Sequence, residues 1–172
     1  MGDIAFSNPV LKRLESRGEE AIGLFAFSEK RPLSGINGLL DWRLLGRISR
    51  LVIEGFLRFD EDEKLLFPLG GRMPQRYLVL IGLGPRAGFD RRRFGEAVRR
   101  LFKALDDLGC EDTALSLPGR VEDVCEPADA IEWFLESVEN AGDRNLAIIE
   151  PTGVQAAMAP VVERWRLKRS LP

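Results

Sequence analysis

The chain has 172 residues, of which 45% are hydrophobic and 30% charged, with a formal net charge of −2. That is the make-up of one ordinary globular domain with no overall pull toward nucleic acid or anionic membrane. It contains no histidine, which excludes Ser–His and Cys–His catalysis and His-ligated zinc, chemistries that depend on imidazole.

Two cysteines, Cys110 and Cys125, make neither a disulfide framework nor a zinc spacing and read as buried or half-buried thiols. The start, MGDIAFSNPVLKR, lacks the basic-then-apolar order of a signal peptide. No run approaches the ~20 apolar residues of a membrane span. A cytoplasmic protein without a membrane partner is expected.

In chain order, residues 1–20 read as an N-terminal extension. Ala21 to Phe27 (AIGLFAF) is a short apolar run that predicts a buried strand. Breakers Pro32, Gly35 and Gly38 follow. Leu40, Leu44, Ile48, Leu51 and Val52 recur at helical steps and predict one helix from Leu39 to Phe56. Asp60, Glu61, Asp62 and Glu63 form an acidic turn that lacks the spacing and glycine of a calcium loop. Lys64 to Leu69 predicts an edge strand, because Pro68 cannot donate to a ladder. Tyr77 to Ile81 (YLVLI) is apolar throughout, as a strand covered on both faces is.

A helix follows, with Asp90 as N-cap, a face of Phe94, Ala97, Val98, Leu101, Phe102, Leu105 and Leu108, and Gly109 as C-cap. Thr113 to Leu117 is a further strand, Pro127 opens a helix that turns Ile131, Phe134, Leu135 and Val138 inward, and Leu146 to Ile149 is a strand. Thr152 caps a last helix kinked at Pro160, and the basic tail from Arg166 to Pro172 is expected to fray. Strands alternating with helices predict a three-layer α/β/α domain with a mixed, mainly parallel sheet.

The strings GINGLLDWRLLGRISRLV, EKLLFPL and RYLVLIGLG, in that order and followed by an amphipathic helix, resemble the N-terminal domain of cytosolic leucine aminopeptidases. The resemblance runs from about Ala21 to about Leu117, more loosely to Ile149. It implies a macro-domain-like fold. It also implies that peptidase chemistry lies elsewhere: the full-length enzymes hold two metal ions in a separate C-terminal domain, and no string here resembles that domain's metal-binding Asn-Thr-Asp-Ala-Glu-Gly-Arg segment. The expectation is therefore a module with no catalytic residue, no metal and no cofactor of its own.

Two places could carry function. Gly82-Leu83-Gly84 lies between a strand and a helix, where glycines let backbone N–H groups approach phosphate. Gly82, Gly84, Arg86, Arg91 and Arg92 are the candidate anion loop for a phosphate, nucleotide or ADP-ribose-like ligand, although the Asn-rich ribose segment of macro domains is not evident. The other reading of this loop is a tight strand-to-helix turn with solvated arginines. The helix Leu39–Phe56 is wider in apolar residues than one core stripe, which makes Trp42, Leu45 and Ile53 the candidate interface. Trp42 could instead pack on the helix base, with Asp41 near its N-terminal turn. The expected partner is a second copy or another protein; nucleic acid is not expected at this net charge.

Overall fold

Along β2 (Ala21–Ala26) successive side chains alternate between two apolar layers, and both are filled: Ile22, Leu24 and Ala26 enter one core, Ala21 and Phe25 the other. A computed structural model describes residues 2–29, 31–139, 141–142 and 144–170. Its remaining strands are β1 (Ile4–Ser7), β3 (Lys64–Pro68), β4 (Tyr77–Gly82), β5 (Asp112–Leu115) and β6 (Asn145–Ile149). The helices are α1 (Leu11–Glu15), α2 (Gly35–Arg43), α3 (Arg47–Ile53), α4 (Arg91–Leu108), α5 (Pro127–Ser137) and α6 (Thr152–Ser170).

Among the described residues the sheet has six strands, in the order β1-β6-β5-β2-β4-β3. All neighbours are parallel except β3, which pairs antiparallel with β4 at the edge where Pro68 is tolerated. Helices α4, α5 and α6 cover one face and α1, α2 and α3 the other. The three-layer α/β/α architecture is as the sequence implies, with β4 interior between β2 and β3. Helix α4 has both expected caps: Asp90 accepts a hydrogen bond from the Arg93 N–H, and Gly109 is left-handed. It lies so close to β2 that a Cβ on Gly23 would be 2.6 Å from the Leu101 side chain.

Three expectations are corrected. Residues 1–20 are not a simple extension, because β1 joins the sheet beside β6, pairing Ile4 with Leu146 and Ser7 with Ile149. The basic tail is helical through Ser170, where Arg166 donates to the Ile4 carbonyl at 2.6 Å and Arg169 stacks over Trp165; Leu171 and Pro172 lie outside the described residues. The single helix Leu39–Phe56 is two helices. After Arg43 the Gly46 N–H closes on the Asp41 carbonyl at 2.8 Å and the Leu45 N–H on the Trp42 carbonyl at 2.9 Å. That is a Schellman turn, with Leu45 (φ 60°) in the left-handed position that usually holds glycine. Asp41 then caps α3, accepting from the Ile48 and Ser49 N–H groups at 2.8 and 3.1 Å. The core stripe survives the break, since Leu40, Leu44, Ile48 and Val52 are all buried.

A β-carbon at left-handed φ costs about 1 kcal/mol. Leu45→Gly is accordingly expected to raise stability by up to about 1 kcal/mol in urea melts, with no change in far-ultraviolet circular dichroism. Loss of stability would show that the leucine side chain contributes to the fold. Among the described residues no helix is long and apolar enough to cross a membrane.

Candidate functional site

The turn after β4 spends its donors on the protein itself. The N–H groups of Gly82, Leu83 and Gly84 bond the carbonyls of Glu63, Ala26 and Phe59 at 2.8–2.9 Å. The Arg86 N–H lies 3.0 Å from both carboxylate oxygens of Glu29. What the turn presents inward is oxygen: the buried Arg93 guanidinium donates to the carbonyls of Leu83, Pro85 and Ala87 at 2.5, 2.8 and 3.0 Å. It also pairs with Glu61 at 2.6 Å and stands over the Phe89 ring.

The fold thus brings Gly82, Gly84 and Arg86 into one turn but draws Arg91 and Arg92 away from it. Arg91 pairs with Glu136, and Arg92 with Glu96 at 2.7 Å, both on the exposed surface of α4. Consecutive helical residues point about 100° apart, so one of the three arginines can face the turn, and it is Arg93. The Arg86 side chain reaches the Glu122 carbonyl at 3.4 Å. Gly82 is set by packing: a Cβ there would lie 2.0 Å from the Asp60 carbonyl oxygen.

A better-formed cavity opens at the carboxyl ends of β1, β5 and β6. Strands β5 and β6 lead to helices on one face, whereas β1 and β2 lead to helices on the other. Neighbouring strands whose connections leave toward opposite faces open a crevice between them. It encloses about 270 Å³ between Pro9, Ile36, Val121, Ile149, Pro151 and Val154. Its polar lining includes Arg120 and Glu150, whose side chains are each 5% exposed and meet at 3.2 Å between Nε and Oε1. Arg120 also donates to the Cys125 carbonyl at 2.6 Å and lies 3.2 Å from Asp123. Burial lifts the Glu150 carboxyl above its ordinary range against the opposing pull of Arg120.

Ser116 Oγ, on the same wall, is buried with no hydrogen-bond partner among the described residues. Helix α2 begins at the cavity with Gly35 and Ile36, without a side-chain cap from Ser34. Sequence reasoning missed this crevice. Its one local signal is a charged residue, Glu150, directly after an apolar strand. Burial raises the Cys110 thiol, and raises Cys125 to about 11, which disfavours the reactive thiolate form. Among the described residues no cluster of acids and thiols is placed to hold a metal ion.

The third feature is the outer surface of α2 and α3. Trp42, Leu45, Ile53 and Phe56 are 71, 64, 82 and 77% exposed. Trp42 therefore does not pack on a helix base, and Asp41 serves α3 rather than the start of its own helix. Leu39, also on α2, is exposed as well. Arg47 and Arg50 on α3, and Arg58 after it, are exposed as well, Arg47 lying over the Phe67 ring. A second cavity of about 250 Å³, walled by Pro32, Leu33, Val52, Ile53 and Phe59, adjoins this surface.

Comparison with known proteins agrees with the architecture. The sheet and helices align with a mutant of the Oceanobacillus iheyensis macrodomain at TM-score 0.73 and 8% identity, over 96% of this chain and 88% of that one. The Trypanosoma brucei macrodomain in complex with ADP-ribose aligns at TM-score 0.71 and 16% identity, over 92% and 68%. A mutant of tomato leucine aminopeptidase aligns at TM-score 0.64 and 11% identity, over 92% of this chain but 35% of that enzyme. In sequence, a probable cytosol aminopeptidase of Synechocystis sp. is 26% identical over 109 residues. The chain spans 22% of that relative's length. The model of the cytosol aminopeptidase family, N-terminal domain, matches residues 21–144. This chain belongs to the cytosol aminopeptidase family, through that family's N-terminal domain.

Proposed function

We propose that this domain is a cytoplasmic, non-catalytic interaction module that self-associates or docks on another protein through α2 and α3. The observation that carries the reading is Leu45. It occupies a left-handed position that favours glycine, and its side chain is 64% exposed. Neither backbone preference nor burial accounts for a leucine there, and strain kept at an exposed apolar residue points to contact with something else. Trp42, Ile53 and Phe56 add three large exposed apolar side chains to the same pair of helices and their flanks, a composition typical of binding hot spots.

Light scattering at micromolar concentration is expected to give a mass above the 19.3 kDa of one chain, or a pull-down to retain a stable partner. Trp42→Ala, Leu45→Ser and Ile53→Ser combined should abolish that association while circular dichroism stays unchanged. A strict monomer without a partner would overturn the reading. The same preparations are expected to leave leucine p-nitroanilide intact with zinc, manganese or magnesium.

The crevice favours a second reading, a module for a small phosphate-bearing ligand. The Trypanosoma macrodomain was solved with ADP-ribose and with ADP, and its fold aligns over 92% of this chain. Here the walls near Ser116, Arg120 and Glu150 are a more suitable receptacle than Gly82, Gly84, Arg86, Arg91 and Arg92.

A further inference from the structure

We propose that Arg120 is an oxyanion receptor occupied internally by Glu150: a small ligand bearing a phosphate or carboxylate group enters the crevice and takes over the guanidinium edge that Glu150 now holds. The proposal rests on the ligand reading above and names how the ligand would be gripped.

The internal pair is loosely made. One Nε···Oε1 contact of 3.2 Å joins two side chains that are each 5% exposed. A charge-assisted arginine–carboxylate contact is ordinarily about 2.7–2.9 Å, and often a two-point fork. The rest of Arg120 is anchored, through the Cys125 carbonyl at 2.6 Å, so the guanidinium stays in place when its counter-ion moves.

Three further features suit an incoming oxyanion. Ser116 Oγ is buried on the same wall, an O–H donor with no partner among the described residues. The start of α2, at Gly35 and Ile36, lines the cavity and has no side-chain cap, and a helix start of this kind leaves backbone N–H groups for an anion. The walls between them are aliphatic, which keeps water from competing.

Charge explains why Glu150 has to yield. Arg120 already faces two carboxylates, Glu150 and Asp123 at 3.2 Å each, so an anion added beside both would be repelled. Glu150 is the one whose charged form burial disfavours, and Arg120 and Asp123 are the charged groups acting on it. A proton neutralises Glu150 at less cost than it would a solvated carboxylate, and displacement toward the cavity mouth would instead carry the charge away from Arg120.

The test uses the full chain with sulfate, whose charge is constant near neutral pH, and with ADP, both followed by calorimetry and thermal shift. Glu150→Gln keeps the size of the side chain and its acceptor oxygen but lacks the charge. It is expected to bind sulfate at least about tenfold more tightly than the wild type, and Ser116→Ala in that background should reverse part of the gain. Arg91→Gln with Arg92→Gln, outside the crevice, should change nothing.

In the wild type, sulfate binding should strengthen as pH falls and Glu150, whose carboxyl burial holds above its ordinary range, takes up its proton. This second measurement stands even if Glu150→Gln fails to fold. Equal or weaker sulfate binding by folded Glu150→Gln, or pH-independent binding by the wild type, overturns the proposal. ADP binding unchanged by Glu150→Gln would keep the ligand reading and remove the role of Glu150. No binding of either probe by either protein removes both.

Discussion

Leu101→Asp is expected to leave no folded domain. Leu101 is fully buried on α4, and its methyls fill the space that Gly23 leaves open on β2. The substitution removes that packing and puts a carboxylate into an apolar layer, among Phe25, Val98 and Leu105. Losing a buried leucine alone costs about 2–5 kcal/mol, and an unpaired buried charge adds more. Against a total stability of roughly 5–15 kcal/mol the sum reaches the whole. Insoluble expression, or a far-ultraviolet spectrum without helix, is the expected readout. Leu101→Ala is the companion: it should fold, with a lowered denaturation midpoint. A soluble, helical Leu101→Asp protein would mean that α4 does not lie on the sheet as described.

Gly82→Ala is expected to destabilise the domain by about 3 kcal/mol or more, a fall of roughly 6–12 °C in melting temperature. The added methyl would meet the Asp60 carbonyl oxygen at 2.0 Å and the Phe59 carbonyl carbon at 2.6 Å. Both are backbone atoms, so no side chain can rotate away. Phe59 cannot yield easily either, because its ring is fully buried and its φ is already 63°. Gly88→Ala, at a positive φ that Gly82 does not share but with 4.0 Å to its nearest neighbour, Arg93, should cost about 1 kcal/mol. A large loss for Gly82 beside a small one for Gly88 would identify the glycine as a packing requirement of the acidic turn rather than an opening for phosphate.

That contrast marks where the sequence is readable. Helix α4 is legible because its information is local: the Asp90 cap, the apolar face and Gly109 all lie within twenty residues. Strand β4 is legible because its apolar run needs no partner to be recognised. The break at Leu45 is not, since a left-handed leucine gives no glycine signal and the core stripe runs through both helices in register. Strand β1 is four residues long and acquires its meaning from β6. In the candidate site, three adjacent arginines look alike in sequence, and only the direction of each Cα–Cβ bond decides that Arg93 and not Arg91 or Arg92 grips the turn. Arg120 and Glu150 are thirty residues apart, and nothing local pairs them. The exposed apolar surface of α2 and α3 is the opposite case, because apolar width in excess of one stripe shows in the residue pattern by itself.

The pairing of β1 with β6 also constrains how the chain can be made. Ile4 emerges from the ribosome first among the strand residues, yet its neighbour is Leu146. At a synthesis rate of about 5–20 residues per second, the opening strand waits on the order of ten seconds for a mate. Until β6 has cleared the exit tunnel, β5 presents a bare parallel edge, where it can recruit a stray strand. An error of timing is therefore more dangerous at this edge than at the other. There β3 reaches β4 across a short hairpin and closes almost as soon as it is translated.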